Sequence, residues 1–185
     1  GKTLFDLYDL TGKEKYRRAI DLVYSQLKTQ PRTSTGNFWH KEIYPNQIWL
    51  DGLYMAQPFY MQYEVTYNNS TNCKDCYQQF VNVYNLMRDL RNGLYYHAYD
   101  DSRTSFWCDK VTGLSDNFWL RALGWYAMAL IDTMEVMPEE TLGSEKKEMN
   151  RIYKELIDSM LPYQDEETGM WYQVVNRGGI HPNYL

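Results

Sequence analysis

No run of apolar residues approaches the roughly 18 needed to cross a bilayer, so the 185-residue sequence holds no candidate membrane span. It also lacks a basic stripe. Lysine and arginine are scattered, and the formal charge is −5, which makes a nucleic-acid backbone or an anionic membrane surface a poor partner. Cysteine is scarce, limited to Cys73, Cys76 and Cys108. The pair Cys73-x-x-Cys76 follows the polar stretch Asn68-Asn69-Ser70-Thr71-Asn72. It lacks the βαβ surroundings of a redox motif and the further ligands of a zinc site. An odd count also argues against an oxidised scaffold. G-x-S-x-G, H-E-x-x-H and a glycine-rich phosphate loop are all missing. The spacing of His40, His97 and His181 recommends no metal. No signal peptide opens the sequence, and the compartment stays open between cytoplasm and periplasm.

What is abundant is aromatic. Phe, Trp and Tyr make up 16% of the chain, including 18 Tyr and 6 Trp, within a hydrophobic fraction of 44%. That fraction is enough for a packed core. The rings suit either a core of large side chains or a carbohydrate site, where sugar C–H faces stack on aromatic planes.

Apolar residues recur at helical spacing. The pattern predicts helices over 13–29 (Tyr16, Ile20, Val23, Leu27), 73–90 (Phe80, Val83, Met87, Leu90), 116–136 (Trp119, Leu123, Ala127, Leu130, Met134) and 145–161 (Met149, Ile152, Leu156, Met160). A further helix over 49–67 contains Pro58, which can kink it. The segment 2–9 reads as another helix, stopped before Thr11-Gly12.

Between the helices one pattern recurs: Gly36-Asn37-Phe38-Trp39-His40, Gly93-Leu94-Tyr95-Tyr96-His97 and Gly169-Met170-Trp171-Tyr172-Gln173. The glycines lie 57 and 76 residues apart. This is an internal repeat of helix pairs, each followed by a short extended loop, and such units stack on their neighbours. The loops either plug the ends of the pairs or form a binding face. The fold class expected is all-α, about three hairpins of a helical toroid in one domain over residues 1–185. Three pairs are too few to enclose a central cleft. The chain therefore reads as part of a larger ring, or as one that pairs with another to complete it.

Asp51, within Trp49-Leu50-Asp51-Gly52, reads either as an N-cap or as a carboxyl among rings that resists ionisation and donates a proton. Gly52 beside it would let a ligand approach the backbone. Arg121, within Trp119-Leu120-Arg121-Ala122, needs an anion, either an internal aspartate or a substrate carboxylate.

Taken together, Gly36 to Lys41, Trp49 to Ala56, Gly93 to His97 and Phe118 to Tyr126 resemble the unsaturated rhamnogalacturonyl hydrolases of glycoside hydrolase family 105, over essentially the whole chain. The resemblance implies an (α/α)6 barrel and removal of 4,5-unsaturated galacturonic acid from rhamnose in lyase-cut pectin, as in bacteria. It implies that Asp51 protonates the C4=C5 vinyl ether and then helps water add, with no cofactor. By the same motifs His40, Lys41 and His97 are expected to contact the oligosaccharide. Trp119, Arg121 and Trp125 are expected to wall the sugar subsite, with Gln47 and Met55 as further contacts. A second important aspartate of the family would precede Gly1, and barrel-closing helices would follow Leu185. An unsaturated glucuronyl substrate and a non-catalytic carbohydrate-binding toroid are the alternatives. The oligomeric state is not readable.

Overall fold

The computed structural model describes residues 1–178. His181 and the Asn183-Tyr184-Leu185 end fall outside the described residues. Among the described residues six helices run in order: α1 (Thr3–Thr11), α2 (Glu14–Thr29), α3 (Leu50–Tyr67), α4 (Cys73–Met87), α5 (Leu120–Val136) and α6 (Glu139–Met160), the last continued by a 3-10 turn over Leu161–Tyr163. They pack as consecutive pairs, α1 on α2, α3 on α4 and α5 on α6. The main contact between pairs joins α3 to α5, so these two form the inner layer. Their sequences explain the placement. Both carry apolar residues around most of the circumference, with buried positions such as Leu53, Phe59 and Met61 on α3 and Leu123, Tyr126 and Leu130 on α5. In contrast α2, α4 and α6 keep a polar outer face, as helices covered on one side do. Helix α3 runs on through Pro58.

The periodicity reading needs four corrections. Helix α5 starts at Leu120, not near 116, because the preceding residues pair in extended form. Asn117 accepts from the His97 amide at 3.2 Å, and Trp119 bridges Val174. Helix α4 ends at Met87, since Arg88 turns extended (φ −80°, ψ 129°) to bridge Tyr95. Leu90, expected on the buried face, is consequently 87% exposed. Helix α6 begins six residues before the expected 145, behind Pro138, and bends at Leu142 (φ −129°, ψ 22°). Helix α1 extends to Thr11, where Gly12 closes it in the left-handed conformation (φ 61°) and donates to Tyr8.

Periodicity gave no sign of a two-stranded antiparallel ribbon, β1 (Gln47–Trp49) with β2 (Ala98–Asp100). Its register pairs Gln47 with Asp100 and Trp49 with Ala98. The ribbon leads directly into α3. Next to it the Leu50 amide donates to the His97 carbonyl at 3.1 Å. Strands this short do not show an alternation that can be read.

The repeated glycines sit in tight turns at positive φ, 93° for Gly36, 78° for Gly93 and 69° for Gly169, a region that favours glycine. Gly113 (φ 81°) makes a fourth such turn, hidden from the sequence pattern because Ser115-Asp116 follows instead of two rings. In the turns at Asp89, Asp109 and Asp165 the aspartate amide donates to the residue five positions on, at 2.8–2.9 Å. After each of the three repeat glycines the first ring (Phe38, Tyr95, Trp171) packs in or against the core. The residue two further on is His40, His97 or Gln173. The loops thus plug the helix pairs with one side chain and present another at the same end of the fold.

The cysteines are free and buried. Burial pushes the thiols of Cys73 and Cys76 above the ordinary range, which suits inert core residues.

Candidate active site at the mouth of two inner helices

Helices α3 and α5 open alike. Each is preceded by an extended tryptophan, Trp49 (φ −120°, ψ 143°) or Trp119 (φ −89°, ψ 120°), and neither start has a side-chain cap. Each then reads Leu followed by a charge in the first turn: Asp51 on α3, Arg121 on α5. The alternative of Asp51 as an N-cap is overturned, since Trp49 holds that position. Asp51 is 6% exposed. His97 Nε2 donates to its Oδ2 at 3.1 Å, and Arg121 Nη2 lies 3.3 Å from its Oδ1.

Rings enclose this pair. Trp49 meets the His97 ring edge-on at 5.1 Å, and Trp119 meets it edge-on at 4.9 Å. The Arg121 guanidinium stacks over Trp119 at 4.1 Å. On the other side of Trp49, His40 lies parallel at 4.5 Å and Tyr44 at 5.2 Å. The ring of His40 comes so close to α3 that a Cβ on Gly52 would stand 3.1 Å from its Nδ1. Gly52 therefore leaves room for His40, which occupies the approach expected for a ligand.

The charges follow from this packing. Burial pushes the Asp51 carboxyl upward, but the hydrogen bond and electrostatic attraction of His97, together with the guanidinium of Arg121, outweigh it and hold it below the ordinary range. The expectation that its aromatic surroundings keep Asp51 protonated is thus reversed in the free protein. His40 is lowered to about 4, first by burial and then by Lys41 and His97, with Asp51 opposing. It is neutral near pH 7, and its Nδ1 is buried without a hydrogen-bond partner among the described residues.

The other expected site residues divide by position. Gln47 is buried with both ends of its amide engaged: Oε1 accepts from the Trp49 indole at 2.9 Å, and Nε2 donates to Ser105 at 3.0 Å. It orients Trp49. Trp125 stands farther along α5 against Tyr54, 4.5 Å between rings. Tyr54 lies one turn beyond Asp51, and the motif reading passed over it. Met55 is 61% exposed and lines a groove with His40 and Trp49. Lys41 is exposed, with its ammonium 5.7 Å from the Tyr44 ring. Beside the cage opens a cleft of about 440 Å³, lined by Trp49, His97, Trp119, Trp107 and Gln173 among others. Among the described residues no three His, Cys, Asp or Glu side chains gather as a metal-holding group.

The profile of Glycosyl Hydrolase Family 88 matches residues 1–185. The chain belongs to that family. A solved family 105 glycoside hydrolase from Clostridium acetobutylicum ATCC 824 superposes with a TM-score of 0.95 at 43% identity, covering 100% of this chain and 51% of that one. Among curated proteins, Protein Atu3128 of Agrobacterium fabrum is 34% identical over 130 residues, 70% of this chain and 54% of its own length. The unsaturated rhamnogalacturonyl hydrolase YesR of Bacillus subtilis is 25% identical over 182 residues, 95% of this chain and 50% of its own length. The chain thus spans about half the length of the relatives it matches. Its mostly helical fold of stacked pairs is that of the solved relative.

Proposed function

We propose that the protein carrying this chain removes 4,5-unsaturated galacturonic acid from rhamnogalacturonan oligosaccharides. Residues 1–185 would supply the inner helices α3 and α5 of its six-hairpin barrel as part of one catalytic domain. The observation that carries the reading is Asp51, held by His97 and Arg121 in an aromatic cage at the mouth of two helices. The name of the Bacillus subtilis relative supports the sugar.

The chemistry starts with Arg121. Its side chain is 54% exposed, so a uronate carboxylate can share its charge. The N-termini of α3 and α5 add their amides and dipoles to the attraction for an anion. Drawing Arg121 toward the substrate removes one of the influences that hold the Asp51 carboxyl down, and expelling water as the cage fills adds to the burial that raises it. It then takes up a proton. Asp51 delivers that proton to C4 of the C4=C5 bond, leaving an oxocarbenium at C5. Water adds at C5 and gives its proton back to the Asp51 carboxylate. The resulting hemiketal opens, and the anomeric carbon releases the neighbouring sugar. No carboxylate nucleophile is required, unlike the two-carboxylate displacement of most glycosidases. His97 fixes the Asp51 oxygen, while Trp49 and Trp119 supply faces for the sugar ring. His40 and Lys41, with Met55 and Trp125 farther out, are assigned as contacts to the sugar, and Gln47 acts by holding Trp49.

The test mixes the protein with unsaturated rhamnogalacturonan disaccharide and with an unsaturated glucuronyl disaccharide, following the ultraviolet band of the conjugated uronate. Faster loss with the first is expected. Faster loss with the second would overturn the sugar assignment and leave the chemistry.

A further inference from the structure

The bond from Gln47 to Ser105 leads out of the cage to a buried charge. Gln47 and Asp100 stand opposite each other in the β1–β2 ribbon, so their side chains leave the same face of it. Asp100 is fully buried. It accepts from the amides of Ser102 (2.9 Å), Thr104 (3.0 Å) and Ser105 (2.7 Å) and from the Ser102 hydroxyl (2.6 Å). These bonds curl the chain after β2 around the carboxylate and bring Ser105 beside Gln47. Burial pushes the Asp100 carboxyl up, but the bonds from Ser102 and Ser105 outweigh it and bring it down to about 2. Asp100 is therefore charged near pH 7, a group that only accepts.

That polarity passes along the next three residues. The Ser105 hydroxyl is among the groups that hold Asp100 charged, as a proton turned toward the carboxylate does. Its oxygen is left to accept from Gln47 Nε2 at 3.0 Å. With Nε2 committed, Gln47 turns Oε1 to the Trp49 indole, which donates to it at 2.9 Å. A glutamine amide can present its oxygen or its NH2 on the same side. Reversed here, it would set N–H groups against the indole N–H. The acceptor at Ser105 thus decides which end of the amide Trp49 meets.

Trp49 is where this chain of bonds enters the cage. Its ring lies flat on His40, 4.5 Å away with 4° between the planes, and meets His97 edge-on. His97 in turn holds the Asp51 Oδ2. Ribbon pairing fixes the Trp49 backbone but leaves its side chain a choice of rotamers. The bond to Gln47 makes that choice.

We propose that Ser105 is a positioning residue for the Asp51 cage, its polarity set by Asp100 and its effect carried through Gln47 to the plane of the Trp49 indole. The proposal rests on the proposed function for the chemistry of the cage, while the chain of bonds is readable without it.

The test follows the free protein by NMR, through the Trp49 indole N–H signal and the titration of His40. Ser105→Ala removes the acceptor, while the residue 105 amide still serves Asp100. The Trp49 signal is expected to move upfield as its proton loses the Gln47 oxygen. The His40 titration is expected to rise from about 4 toward the roughly 6.5 of an open histidine, as the indole uncovers a ring that Asp51, Lys41 and His97 still face. Asp100→Asn is expected to move both in the same directions. Ser105→Thr keeps the hydroxyl and is expected to leave both near their original values. The Trp171 indole, bonded to the Met160 carbonyl at 2.8 Å, lies outside this chain of bonds and reports an intact fold. Ser105→Ala with both signals unmoved overturns the proposal, as do equal shifts in Ser105→Thr. Turnover is read separately. On the unsaturated disaccharide Ser105→Ala is expected to lower kcat/KM about tenfold, and an equal rate despite the shifts overturns the positioning role. The NMR shifts in a protein that leaves the ultraviolet band of every disaccharide intact keep the chain of bonds and discard the hydrolase.

Discussion

Asp51 and Arg121 occupy equivalent places in the first turns of α3 and α5, with opposite charge. An aspartate there is favoured by the helix dipole and an arginine is not, so α5 tolerates Arg121 through its stack on Trp119 and its ion pair with Asp51. If that pairing sets the acid, Arg121→Gln will raise the Asp51 titration seen by carboxyl 13C NMR and weaken uronate binding. An unchanged titration would count against it. His40 carries a second prediction. Its folded value of about 4 lies below the roughly 6.5 of an unfolded histidine, so between these values the unfolded chain binds more protons. Stability therefore rises with pH across that window and is lost on acidification from about 6.5 to 4. Urea midpoints at the two ends should differ, and His40→Gln should narrow the gap. At this scale the motifs around Asp51, His97 and Arg121 were legible. The contact of Arg121 with Asp51 was one of two anions left open, since the two residues stand 70 positions apart in sequence. The direction of the Asp51 shift was misread, because the rings are visible in sequence and the cations facing the carboxylate are not.

Local pairing decides what the elements do where periodicity fails. The helix cores came through because the apolar stripes of α2, α4 and α6 are regular. The starts of α5 and α6 did not, because backbone pairing and Pro138 set them. The turns are the elements most exposed to mutation. At Gly113 a Cβ would lie 2.5 Å from the Asp100 carbonyl oxygen, at a φ of 81°. Gly113→Ala should cost about 3 kcal/mol by denaturant unfolding, and a loss under about 0.5 kcal/mol would contradict the geometry. The link between α3 and α4 depends on Glu64, buried under the Tyr24 hydroxyl at 2.5 Å and the Asn72 amide at 2.8 Å. Its neighbourhood, with burial as the larger cause, pushes the Tyr24 phenol to about 12. Glu64→Ala strands both donors and should destabilise by about 3 kcal/mol, with Glu64→Gln milder. Nothing in the sequence set Glu64 apart from an ordinary surface acid of an amphipathic helix.

For the molecule as a whole, the repeat of glycine, rings and a polar residue was the readable sign of stacked helix pairs, and the Family 88 match agrees with it. The same repeat explains why one end of the fold collects His40, His97 and Gln173, since each loop follows an outer helix and climbs back toward an inner one. For the proposed anionic sugar a negatively charged protein needs local positive charge at the site, and here Arg121 and the two helix starts would supply it against a net −5. The most direct test of the account is the ultraviolet band of the unsaturated uronate followed with the protein and with Asp51→Asn. General acid catalysis contributes about 10²–10⁴-fold. The account predicts loss of the band with the unaltered protein and a rate lower by about that factor in Asp51→Asn, with the fold intact. Equal rates for the two proteins, or a disaccharide bound by the unaltered protein with its band intact, would contradict it.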